Sequence, residues 1–523
     1  MNRRKLIRQQ SGRGQRLSPA PDQGREIKRM LFLAARALES RQPGEADDWC
    51  RRILALAPEN VDALNLQGLA AALAGNREVA EGFMRQALTG QPDNPVFNTN
   101  LGILLASQGR SGEALLHFNV ALRRQPDNVE VLYNLIELYE KTNQLDLARE
   151  KTQQALALAP ESIPLRYQLA KLAYRAGNYL HAREIGTELL SRELDHDLRQ
   201  KALHLLGQAC DRLGEHDEAF GAFRRANELL AQSPLGRALE PQRREIVQFL
   251  TRQKDSFTRE RIQGWQPAPQ KKQELPPVFL VGFPRSGTTL TGQLLAAHSG
   301  IVTLDERQAL APLIAEFSTP ERLELLPGLP PGTIIAQRDR YRLLLRELAG
   351  METRGRLIID KNPLYICYLG LIQRFFPEAR VIVIHRDPRD VCLSSFMQDF
   401  TLTPFMQNFL TLEGTVTFYD TVMKLYSHFR DHLDLAMLEV RYEDLIANFR
   451  KETGSFLSFL GLGWEEGIAS FHEQAGRRFI QTPSYQQVVQ PLYSSAQGRW
   501  RNYETQLAPY LDRLRPHIQA LGY

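Results

Sequence analysis

Cysteine is scarce in this 523-residue chain: Cys50, Cys210, Cys367 and Cys392 are scattered and form no C-x-x-C pair. That excludes a disulfide framework and a zinc site of familiar spacing, and it points to a reducing, cytoplasmic setting. Long apolar runs are missing as well. None approaches the roughly 18 residues that a bilayer-spanning helix needs. Charge of one sign does not dominate either. The 65 Lys and Arg stand against 60 Asp and Glu, for a net charge of +5, which argues for a slightly basic soluble surface and against a nucleic-acid binder. The basic opening MNRRKLIRQQ is not followed by an apolar stretch, so no secretory signal is expected, and residues 1–23 read as a disordered basic tail. The rest is globular in composition, 43% hydrophobic and 24% charged, with enough chain for two or more domains.

What the chain does have is a repeat. Pro58, Pro92, Pro126 and Pro160 are spaced 34 residues apart, in the phrases LAPEN, GQPDN, RQPDN and LAPES. Gly68 and Gly102 keep the step, as do Gly75 and Gly109, with Gly177 two periods further on. Ala46, Ala80, Ala114, Ala148 and Ala182 hold one register, and Ala87, Ala121 and Ala155 another. Small residues let paired helices approach, and proline ends the second helix of each pair. A 34-residue helix–turn–helix period resembles the tetratricopeptide repeat (TPR), here over about Ile27 to Gln232. A sixth unit, shifted by three residues, reads Gly207, Gly214, Ala219, Phe223, Ala226. An α-solenoid over 24–233 is expected, offering a groove that docks a protein or peptide. The bland alternative is a rigid spacer or an oligomerisation element. Residues 234–276 read as a helical, then Pro-rich, linker.

From Pro277 the pattern changes. β-Branched runs at Val278–Val281, Leu357–Ile359, Val381–Ile384 and Met437–Val440 alternate with helical stretches, so an α/β domain with a parallel sheet is expected over 277–523. Such sheets bind ligands at the carboxyl ends of their strands. After the first run comes Gly282-Phe-Pro-Arg-Ser-Gly-Thr-Thr289, then a helical pattern. A strand, a small-residue turn and a helix N-terminus form a P-loop-like anion cradle. The frame is Gly-x4-Gly, but Thr288 stands where a nucleotide-hydrolysing P-loop carries Lys. The loop therefore suits a phosphate-like group on a donor other than ATP. The next strand ends deliver Asp360-Lys361-Asn362-Pro363, then His385-Arg386-Asp387 with Ser394 and Ser395 beyond, then Arg441-Tyr442. This cationic rim suits a ligand with two anionic groups.

The motifs PRSGTT (284–289), DE (305–306), DKNP (360–363), RDPRDVCLSS (386–395), RYEDL (441–445) and GRW (498–500) resemble those of the sulfotransferases that use 3′-phosphoadenosine 5′-phosphosulfate (PAPS). The likeness is greatest to the tyrosylprotein branch and spans about Pro277 to Tyr523. It implies that Arg285, Ser286, Gly287, Thr288 and Thr289 hold the 5′-phosphosulfate, and that Arg386 and Ser394 hold the 3′-phosphate. It further implies that Tyr442 and Arg499 touch the nucleotide, that Glu306, 22 residues after Pro284, is the general base, and that Lys361 and Arg285 act on the departing oxygen. No metal is implied. Asp305 is the alternative base and Ser395 the alternative to Ser394. His385 is an outsider for the base, and His298 is expected to pack.

Three family positions depart here. A serine falls on Gly498, a second 3′-phosphate arginine on Gln398, and a cysteine pair on Leu304 and Asp360. The acceptor hydroxyl is expected on a peptide tyrosine, with a glycan or small molecule as alternatives. The competing classes are a P-loop kinase and a nucleotide-binding scaffold without catalysis.

Overall fold

The computed structural model describes residues 21–269, 275–350, 355–471 and 497–523; the tail expected over 1–23 lies almost wholly outside them. Two compact units divide at Leu194/Asp195.

The first unit is a run of paired helices: α1 (Pro21–Glu39), α2 (Pro43–Leu56), α3 (Val61–Leu73), α4 (Arg77–Gly90), α5 (Pro95–Ser107), α6 (Ser111–Arg124), α7 (Val129–Lys141), α8 (Leu145–Leu158), α9 (Ile163–Arg175) and α10 (Tyr179–Leu190). The repeated phrase explains the joints. Its proline sits in the turn, and its last residue caps the next helix: Asn60, Asn94 and Asn128 each accept from backbone N–H groups of the first turn through Oδ1. The turn inside each pair needs a left-handed residue. Gly75, Gly109 and Gly177 supply it at φ 80–85°, and the same 34-residue step puts Arg41 (φ 56°) and Asn143 (φ 60°) in that conformation despite their side chains. Ala46, Ala80, Ala114, Ala148 and Ala182 are all fully buried between paired helices. A Cβ on Gly102 would lie 2.6 Å from the Phe118 ring, so the glycine lets that ring seat.

The second unit opens with a sixth helix pair, α11 (His196–Leu213) and α12 (His216–Gln232), then α13 (Pro234–Ser256). The periodicity assigns that pair to the array, yet its polar side chains close on the α/β core. His204 Nε2 lies 2.9 Å from the Met397 carbonyl, and Asn227 Nδ2 donates to the Phe396 carbonyl at 2.9 Å. Asp211 accepts from Tyr503 and pairs with Arg499. The stretch expected as linker begins as the 23-residue α13, whose Gln253 donates to the Cys367 carbonyl.

The sheet is β1 (Val278–Gly282), β2 (Ile301–Asp305), β3 (Leu357–Lys361), β4 (Arg380–His385) and β5 (Ala436–Arg441), all parallel in the order β2-β3-β1-β4-β5. β1 is buried at every position, as a central parallel strand should be. The expected strands are all present, and β2 is an addition. It is an edge strand in which only Ile301 and Leu304 are buried, too weak a pattern to stand out. The register sets Asp305 opposite Lys361 and His385 opposite Arg441, so the polar strand ends share one edge. No helix among the described residues is long and apolar enough to cross a membrane.

Candidate active site

The loop after β1 is shaped by its backbone. Arg285 (φ 70°) and Gly287 (φ 109°) take left-handed conformations on either side of Ser286, which turns successive N–H groups inward and makes an anion nest. Gly282 admits no side chain, because a Cβ there would sit 2.6 Å from the Ile384 carbonyl and from Ser286 Oγ. Gly287 lies against the Tyr442 ring, where a Cβ would come within 2.6 Å. The helix Thr288–Ala296 starts immediately after, with Gly287 at its N-cap and Thr288 and Thr289 buried in its first turn. Ser286 Oγ is buried and has no hydrogen-bond partner among the described residues. An orphan donor in a helix-terminal nest fits an incoming anion.

The neighbouring strand, β4, leads into Arg386 and the helix Pro388–Phe396. Arg386 is nearly buried. It donates to the Arg285 carbonyl at 3.1 Å, faces Asp390 at 3.9 Å and lies 5.1 Å above the Tyr442 ring. Arg285 in turn donates from Nε to Ser394 Oγ at 3.0 Å. The loop arginine, the strand-end arginine, Ser394 and Tyr442 are therefore one connected cluster. Ser395 is buried and donates to the Pro284 carbonyl, so it braces the loop.

Asp390 has a role that residue type alone did not reveal. Its carboxylate accepts from the backbone N–H of Gly498 (2.7 Å) and of Trp500 (2.8 Å). Burial raises its pKa, with Arg386 and the two N–H groups opposing. Asp390 thus pins the GRW segment to the rim through backbone, a contact indifferent to the side chain at 498. Arg499, expected on a nucleotide, has its guanidinium on Asp211 (2.8 Å). Gln398 Nε2 donates to the Asp399 carbonyl at 3.3 Å.

The third group sits at the ends of β2 and β3. Lys361 is 0% exposed, and its Nζ lies 2.9 Å from Glu306 Oε1 and 3.5 Å from Asp305 Oδ1. Glu306 is 42% exposed and Asp305 18%. Glu306 has φ 53°, and its N–H bonds the Lys361 carbonyl at 2.8 Å. Gln293, on the helix after the loop, donates to Asp305 Oδ2 at 3.0 Å. A half-exposed carboxylate beside a buried ammonium, one strand from an anion nest, can exchange a proton with a ligand and offset negative charge.

The histidines are engaged elsewhere: His298 with the Gly463 carbonyl and His385 with Glu439. Asp360, next to Lys361, points to the other face of the sheet. It is fully buried, Tyr341 donates to its Oδ2 at 3.2 Å, and burial pushes its pKa up to about 7. Among the described residues, one group of possible metal ligands (Cys210, Glu215, Glu218) occurs, on the α11–α12 pair and not at the strand ends.

Comparison with known proteins agrees with both halves. The tetratricopeptide repeat family model matches residues 28–95, 99–163 and 167–234, and the sulfotransferase family model matches 276–466. The chain thus carries TPR repeats followed by a sulfotransferase-family domain. An uncharacterized protein of Aquifex aeolicus (strain VF5) is 25% identical over 74% of this chain, which spans only 50% of that relative's length. Protein-tyrosine sulfotransferase 2 of Gallus gallus is 23% identical over 48% of this chain and 70% of its own. The sulfotransferase domain of the Synechococcus PCC 7002 olefin synthase superposes with a TM-score of 0.33 at 23% identity, over 45% of this chain and 90% of that domain.

Proposed function

We propose that the chain is a PAPS-dependent sulfotransferase acting on an acceptor hydroxyl, with a peptide tyrosine as the acceptor class. The observation that carries the donor assignment is the connected cluster Arg285–Ser394–Arg386–Tyr442 beside the nest at 285–289. It offers cations to two separate anionic groups, and the loop has no P-loop lysine for a γ-phosphate. The names of the sulfotransferase relatives support the acceptor class.

PAPS supplies an activated sulfuryl group. In the proposed reaction the acceptor oxygen bonds to sulfur as the bond from sulfur to the 5′-phosphate oxygen breaks. The products are the sulfated acceptor and 3′,5′-adenosine bisphosphate. Glu306 takes the acceptor proton. Lys361 and Arg285 offset the charge on the departing oxygen, and Ser286, Gly287, Thr288 and Thr289 hold the 5′-group. Arg386 and Ser394 hold the 3′-phosphate, while Tyr442 stacks between the two anion sites. Arg499 acts through Asp211 and the segment at 498–500, supporting the rim. The repeat array docks the protein that bears the acceptor, or a partner of it. All four cysteines are buried thiols, which supports a reducing, cytoplasmic setting.

Calorimetry tests this with 3′,5′-adenosine bisphosphate, using ATP as competitor. Micromolar binding, roughly −8 kcal/mol, with ATP much weaker is expected, and Arg386→Ala should weaken it at least tenfold. Glu306→Gln should keep that affinity and lose turnover of PAPS with a tyrosyl peptide. Preference for ATP would overturn the donor assignment.

A further inference from the structure

The contacts of Lys361 pose a difficulty for any role of Glu306 as a base. Its ammonium is wholly buried and rests on Glu306 at 2.9 Å. A carboxylate tied to it through Oε1 must give up that contact before both of its oxygens can reach an acceptor. Were Glu306 simply to turn away, a buried ammonium would be left uncompensated, which is strongly unfavourable.

Asp305 resolves this. It lies beside Glu306 and is the less exposed of the two carboxylates. Gln293, itself buried in the helix that follows the anion loop, fixes one of its oxygens at 3.0 Å. Its other oxygen, Oδ1, is buried and accepts no hydrogen bond among the described residues, and it forms a longer ion pair with Lys361 Nζ at 3.5 Å. The strand register keeps it there, because Asp305 and Lys361 are direct partners across β2 and β3. The backbone of Glu306 is likewise pinned to the Lys361 carbonyl, so only its side chain needs to move.

We infer that Asp305, oriented by Gln293, is the standing counter-ion of Lys361. It is a positioning residue that closes on the ammonium when Glu306 swings to the acceptor. This rests on the reading of Glu306 as base. One ammonium and two carboxylates make the exchange feasible: Lys361 keeps one partner throughout, and the half-exposed carboxylate is the one released.

A thermal-unfolding cycle on the full chain tests it without knowledge of the acceptor. Asp305→Asn and Glu306→Gln are measured singly and together, then Asp305→Asn is repeated in a Lys361→Met background. Each single change should be mild, because the remaining carboxylate still serves the ammonium. The double change should lower the midpoint by at least roughly 3 °C beyond the sum of the singles. In the Lys361→Met background, Asp305→Asn should be neutral. Additive losses, or an equal loss from Asp305→Asn with and without the Lys361 charge, would overturn the proposal, since a purely structural aspartate behaves that way. Gln293→Leu leaves both charges in place and should reproduce part of the Asp305→Asn effect; full wild-type behaviour would remove Gln293 from the device. Failure of the base assignment would show separately, as Glu306→Gln retaining turnover while the cycle stays non-additive.

Discussion

Asp360 gives the sharpest quantitative prediction. Its carboxyl group is buried on the face of β3 opposite Lys361, among Tyr341, Tyr365 and Phe279. One oxygen accepts from Tyr341 and the other has no hydrogen-bond partner among the described residues. Burial raises its pKa from 3.8 to about 7, the Tyr341 bond opposing weakly. Below pH 4 the folded and unfolded chains both carry the proton, and the group contributes nothing to pH dependence. Between about pH 4 and 7 the unfolded chain releases the proton while the folded chain keeps it. Stability must therefore fall as pH rises through that window and stay lowered above it. Three pH units at about 1.4 kcal/mol each set the full effect at roughly 4 kcal/mol. Asp360→Asn removes the titration while keeping shape and the Tyr341 contact. Its amide nitrogen faces the same partnerless spot, a penalty independent of pH. Urea unfolding at pH 5 and pH 8, followed by fluorescence of Trp265, Trp464 and Trp500 in the second unit, reads the difference. Of that window only the two units from pH 5 to pH 7 lie between the two measurements, so the wild type should lose roughly 3 kcal/mol more than Asp360→Asn. Parallel losses in the two proteins would refute the buried-acid reasoning.

Two further substitutions probe the site. Gly287→Ala forces a left-handed φ of 109° on a residue with a Cβ and drives that Cβ into Tyr442 at 2.6 Å; affinity for 3′,5′-adenosine bisphosphate should fall more than tenfold by calorimetry, with near wild-type binding counting against the nest. Asp211→Ala frees Arg499 and Tyr503 from the sixth helix pair; the melting point should drop by several degrees, since one partner of a partly buried charge pair is lost, and nucleotide affinity should weaken through the Gly498–Trp500 clamp on Asp390, an effect absent if that clamp does not support Arg386.

Much of this protein was legible without coordinates, for a definite reason. The repeat array obeys local rules: a cap in each Pro-x-Asn phrase, a left-handed turn residue, and alanines at one register, each acting within about 34 residues. The anion loop is equally local, because a strand, glycines and a helix start lie in a single continuous stretch. Its departure from the kinase pattern is one residue, Thr288.

What tertiary structure decided were the contacts between segments far apart in the chain. β2 was unreadable because an edge strand of five residues has only two buried positions to announce it, yet it ends in Asp305 and leads directly into Glu306. The sixth helix pair keeps the repeat's local pattern but packs with the α/β unit, since His204, Asn227 and Asp211 find their partners near residues 396–399 and 499–503. Gly498 looked like a lost ligand; a backbone N–H bonded to Asp390 does not depend on its side chain. Residue type and spacing determine what a short segment can do. Which carboxylate holds Lys361, and which arginine meets an aspartate, depends on strand register and packing that bring distant residues within about 3 Å, the reach of a hydrogen bond.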